Sequence, residues 1–194
     1  EGGVAWAANL FSDLLGHWEK RHRGAISHYD PAALDRALLE KLFSEYAPTA
    51  ITARVDRLDE ALLMLCDPDE DHAATDEFAA SGIACPEDVL DVFTHRFFFG
   101  CEGDDPMTAI AFRPSLHPQG ARLPAIFASD IGHWDVPDAR GVLAEAWELV
   151  EDGHLEAADF RAFTFGNAVS LFTGTNPAFF EGTAVADAAR RERA

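Results

Sequence analysis

Basic residues are scarce in this chain. Fifteen lysines and arginines face 34 aspartates and glutamates, a formal charge of −19. No basic patch on such a chain could offset phosphate repulsion, which excludes nucleic acid as a partner and disfavours anionic membrane surfaces. Long hydrophobic runs are missing too, and none approaches the roughly 20 residues that span a bilayer. Cysteine is rare: Cys66, Cys85 and Cys101 form no C-x-x-C pair, and their odd number fits a reduced, cytoplasmic setting. The chain has no H-x-H, no H-E-x-x-H and no cysteine knuckle, so these motifs cannot build a standard metal site. A serine-hydrolase elbow and a P-loop are equally absent. No secretory leader and no initiator methionine are visible, but the opening E-G-G-V-A-W suggests the middle of a longer protein, so their absence excludes nothing.

What is present is enough apolar residue, 48%, for one substantial core or part of a larger one. The first two-fifths read as helices. Ala7, Leu10, Phe11, Leu14 and Trp18 recur at helical spacing and E-K-R-H-R follows from Glu19. Asp30 and Pro31 open a second helix with Leu34, Leu38 and Leu42 on one face. A third follows Pro48, with Ile51, Val55, Leu58, Leu62 and Leu65 in a stripe, and the acidic segment from Asp67 reads as a solvated loop. A short helix is expected from Pro86 to Phe93. The character then changes. Phe97–Cys101 is an unbroken apolar run, as in a strand buried on both faces, and a second run from Leu123 stops at Asp130. Asp135 can cap a helix carrying Val142, Leu143, Ala146, Trp147 and Val150, which Gly153 ends, and a last helical pair covers Glu156 to Phe172. Two buried strands among helices point to parallel α/β architecture, in which loops after strand ends carry chemistry.

Asp130 stands in such a loop, as do Glu102, Asp104 and Asp105. Asp130 has two readings from spacing: a turn cap, or a metal ligand or general base at the end of a buried strand. His133 shares its loop and can reach a substrate. Glu102, Asp104 and Asp105 read either as a solvated acidic loop or as a pocket lip. His17, His22 and His28 are spaced five and six apart, wrong for one helical face, and His72, His95, His117 and His154 stand alone.

Three segments carry a resemblance: S-D-I-G-H-W-D-V-P-D at 129–138, F-F-F-G-C-E-G-D-D-P-M at 97–107 and F-T-F-G-N-A-V-S-L-F at 163–172. Together they resemble the amidohydrolase-related family of metal-dependent hydrolases, in the branch that includes aminocarboxymuconate semialdehyde decarboxylase. The openings E-G-G-V-A-W-A-A-N-L and G-H-W-E-K-R are similar to bacterial members of that branch. The resemblance implies an α/β fold: the C-terminal portion of a distorted (β/α)8 barrel, which usually has about 250 residues. Residues 1–194 would be one part of that single domain. A long helical insertion, 4–94, would precede the seventh strand, and 95–194 would hold the last two strands and the C-terminal helices. It implies a divalent ion, zinc in most relatives, with Asp130 as its aspartate ligand and the remaining ligands upstream of Glu1.

The function so implied is metal-dependent hydrolysis of a small molecule, in which Asp130 binds metal and takes a proton from activated water. His133, Trp134, Glu102 and Asp104 would contact substrate, and Glu1 is a second catalytic candidate, standing where many relatives read H-G-G. That replacement weakens the alternative, a metal-dependent decarboxylase of aromatic or unsaturated acids. Asp104, where some relatives have histidine, adds to an acidic lip suited to a neutral or cationic substrate group. A third reading, from another class, is a non-catalytic fragment without the metal site. On the resemblance this segment by itself is inactive and the complete chain is the enzyme, with homodimerisation left open.

Overall fold

The computed structural model describes residues 2–27, 33–65 and 76–193. It divides into two compact units, Glu1–Leu15 with Cys85–Ala194, and Gly16–Ala84.

The first unit is built on a sheet of two parallel strands, β1 (Phe99–Glu102) and β2 (Ala125–Ala128), in register from Phe99 opposite Ala125 to Glu102 opposite Ala128. The apolar runs form strands because Phe99, Cys101 and Ala125 bury their side chains. Helix α1 (Ala5–Arg21) turns Ala7, Phe11 and Leu15 inward at four-residue intervals, and Phe11 stacks on Phe93 at 5.1 Å. Phe93 lies in a wide helical turn, Val92–Arg96, that continues from helix α6 (Pro86–Asp91). Pro86 starts α6, and the Asp88 carboxylate accepts from the Cys85 amide at 3.1 Å. On the C-terminal side lie α7 (Val142–Glu151), α8 (Ala157–Arg161), a second wide turn (Ala162–Gly166), α9 (Asn167–Thr175) and α10 (Ala186–Arg193). Phe163, fully buried, meets Phe127 edge-on at 5.7 Å and ties this helical block to β2.

The second unit is helical: the end of α1, α2 (Arg23–Ile26), α3 (Arg36–Tyr46), α4 (Thr49–Thr52), a 3-10 turn (Val55–Arg57) and α5 (Leu58–Leu65). The expected second helix starts later than its leucine pattern suggests, because Asp35 caps α3 by accepting from the Leu38 amide at 2.9 Å. Asp30 and Pro31, the expected start, lie outside the described residues. The expected third helix is broken. Thr52 Oγ1 donates back to the Ala47 and Pro48 carbonyls at 3.2 and 3.3 Å, and Arg54 leaves the helical region at φ −127°, ψ 15°.

The (β/α)8 barrel expectation is overturned. Among the described residues there are two strands, in one sheet, and most of the chain is helical. A barrel strand bonds to a strand on each side. Here the outer edge of β1 accepts, among the described residues, the Gly3 amide on the Gly100 carbonyl, at 3.1 Å, and no strand. At the outer edge of β2 the Ala125 carbonyl is taken by a side chain, the Asn167 amide, at 2.7 Å. The segment expected as a helical insertion supplies local hydrogen bonds, and residues 16–84 of it make up the second unit. The structure is therefore a small parallel sheet among helices rather than the last quarter of a closed barrel.

Candidate functional site

Asp130 follows β2 by two residues and adopts φ +50°, the left-handed region where aspartate is tolerated and most side chains are strained. That backbone turns the chain sharply off the strand. Its carbonyl accepts from the His133 amide at 3.0 Å, and Gly132, at φ +107°, completes the reversal. The carboxylate itself is largely covered. Oδ2 lies 2.9 Å from His133 Nδ1, while Oδ1 is buried with no hydrogen-bond partner among the described residues. A buried, unpartnered carboxylate oxygen costs folding free energy, on the order of 1–3 kcal/mol or more for a charged group. Such a cost is tolerated where the oxygen has a ligand to meet.

Asp130 opens onto a cleft of about 580 Å³ between the strand ends and α7. Glu102, Asp104, Asp135 and Asp138 enter it from loops, and Glu145 and Glu148 from α7, while no lysine, arginine or histidine among the described residues lines it. Gly103 permits this arrangement: a Cβ there would stand 2.8 Å from the Phe127 ring and 3.4 Å from the Ala146 Cβ. One carboxylate is already engaged, since the Arg140 guanidinium holds the Asp138 carboxyl below the usual carboxylate range. The others leave a strongly negative pocket wall, which attracts cations and repels anions.

Of the residues expected at the site, Glu102, Asp104 and Asp130 share the cleft. His133 is not part of its lining and acts on it only through Asp130. Trp134 is 93% exposed beyond the cleft. Glu1 lies outside the described residues. Asp105 is occupied as the cap of the 3-10 segment Pro106–Phe112, accepting from the Met107 amide at 2.8 Å.

The expected Asp135 cap is corrected: α7 begins at Val142 with Gly141 before it, so Asp135 faces the cleft instead. Pro137 favours extended backbone at Val136, and Asp138 binds the Arg140 amide at 3.0 Å in a local turn that competes with helix. Glu145 and Glu148 are masked in the sequence by the apolar stripe of their helix. Their three-residue spacing, which puts both on one helical face, is the signal that marks them.

No family model, curated protein or solved structure matches the chain. The function therefore rests on the motifs and on this cleft. Of the expected metal ligands this chain was to supply Asp130 alone; Asp130 and His133 form a pair, and no group of three or more metal-binding side chains exists among the described residues. These residues alone do not complete a zinc site. Cys101 offers no nucleophile, because burial pushes its thiol up.

Proposed function

We propose that the chain is a hydrolase for a small neutral or cationic molecule, with Asp130 as its general base. The observation that carries the reading is the Asp130 carboxylate: Oδ2 is held at His133, and Oδ1 is buried without a partner among the described residues, at the mouth of an acidic cleft. A water admitted to Oδ1 would give it one proton as its oxygen attacks a carbonyl in the cleft, and the same carboxyl would return that proton to the departing alcohol or amine as the carbon–heteroatom bond breaks. His133, whose Nδ1 lies 2.9 Å from Oδ2, would orient the carboxylate so that Oδ1 receives the proton. The remaining carboxylates select the substrate, favouring an ammonium or guanidinium group near the scissile bond and rejecting dianions. The same preference weakens decarboxylation of aromatic acids, whose substrates enter as carboxylates.

The test is a panel of small amides, lactones and esters, with neutral, cationic and anionic members, assayed with and without added zinc or manganese. Turnover should fall at least about a hundredfold in Asp130→Asn, the low end for losing a positioned base. Cationic members should outperform anionic ones of equal size. Undiminished turnover in Asp130→Asn, or none above buffer in the wild type, overturns the reading.

A further inference from the structure

The second unit contains a cleft of a different chemistry. The break between α4 and α5 opens a space of about 320 Å³ in which Phe43, Ile51, Val55 and Leu58 provide an apolar floor. The volume falls in the range of small-molecule pockets. Its charged lining is two arginines, Arg54 and Arg57, against one glutamate, Glu60, in a chain whose formal charge is −19. The charges are not equivalent. Arg57 is bound to Glu60, its Nε donating at 3.0 Å, and that contact holds the Glu60 carboxyl below its usual range. Arg36, on the neighbouring α3, is likewise bound to Asp59 and Glu40, which pins α3 to α5 across the floor of the unit. Arg54 alone in this lining has no carboxylate partner among the described residues. An apolar cleft lined by a guanidinium that no described carboxylate engages has the chemistry of a monoanionic amphiphile: the tail displaces water from the floor, and the head pairs with the arginine.

We infer that this cleft binds a straight-chain fatty monocarboxylate, with its alkyl chain on Phe43, Ile51, Val55 and Leu58 and its carboxylate on Arg54. Neither Asp130 nor the acidic cleft takes part, so the two readings stand or fall separately. The probe is decanoate, below its micelle concentration, titrated calorimetrically into the chain. One equivalent should bind, and decyl maltoside and decyltrimethylammonium should each bind at least about tenfold more weakly, a factor in keeping with loss of one charge-assisted pair. Arg54→Gln, an exposed change that leaves the floor intact, should weaken decanoate about tenfold. Ile51→Trp should fill the space and abolish binding with the far-ultraviolet spectrum unchanged. Equal binding of the neutral or cationic amphiphile, or unchanged affinity in Arg54→Gln, overturns the proposal. So does light scattering that shows a dimer which decanoate fails to dissociate, because a second copy would then be the occupant of the apolar face.

Discussion

Asp130 combines two properties that substitution can separate. Its side chain supplies the carboxylate of the acidic cleft, and its backbone sits at φ +50°. Glycine tolerates that backbone and removes the carboxylate, whereas alanine keeps a Cβ without the local polar contacts that let aspartate adopt it. Asp130→Gly should therefore be at least as stable as the wild type, since it also removes the buried unpartnered oxygen, while turnover is lost. Asp130→Ala should lose turnover and also about 1 kcal/mol of stability. Urea denaturation of the two variants checks the stability half, and the substrate panel checks the other. If the glycine variant proves the less stable, the left-handed turn is not what the position requires. His133 gives a second discrimination. Since its contact is with Oδ2 of Asp130, His133→Ala should lower kcat more than it raises KM, by about tenfold in kcat.

The elements of the first unit show what local pattern can and cannot reveal. Both strands were legible as short apolar runs bounded by glycine, proline and acidic residues, although β1 starts at Phe99 and the expected first residue, Phe97, is exposed outside it. Their closeness to Asp130 was legible for the same reason. The number of strands was not. A period of apolar residues reports which faces are covered, not what covers them, and β2 is covered by helices where a barrel would supply a strand. Asn167 makes the difference concrete, its amide donating to the Ala125 carbonyl at 2.7 Å in place of a ladder bond. Asn167→Ala would leave the carbonyl of buried Ala125 unpaired and should cost about 1–2 kcal/mol. Asn167→Asp should cost more, since an acceptor would then face an acceptor. Chemical denaturation measures both, and equal stability of the aspartate variant and the wild type would remove the assigned role. The helix starts were misread for a related reason. Asp35 decides the start of α3 through its hydrogen bond to the Leu38 amide, whereas α7 starts after Gly141 with no side-chain cap, and other aspartates nearby offered equally good caps by composition.

At the scale of the whole chain, charge imbalance dominates. A formal charge of −19 at neutral pH means net self-repulsion in the compact state, while its individual ion pairs are mostly exposed and contribute little each. The two effects respond to pH in opposite directions. As pH falls from 7 toward the sequence pI of 4.6, the net charge shrinks and repulsion declines. Below that, the net charge turns positive and repulsion returns, with a small added loss from the paired carboxylates. Asp59, Glu60, Asp138 and Glu181 are each held below the usual carboxylate range by a hydrogen-bonded arginine. A depressed folded-state pKa stabilises above the unfolded value, about 4, and that stabilisation is lost as pH falls through the folded value. Tm should therefore rise from pH 7 to about pH 5 and drop below about pH 4. Raising sodium chloride from about 0.05 to 0.5 M at pH 7 should also raise Tm, since screening relieves distributed repulsion more than it weakens already hydrated surface pairs. Scanning fluorimetry over both axes checks the pair of trends. A Tm that falls with added salt at neutral pH would mean that specific ion pairs, rather than net charge, govern the stability of this chain.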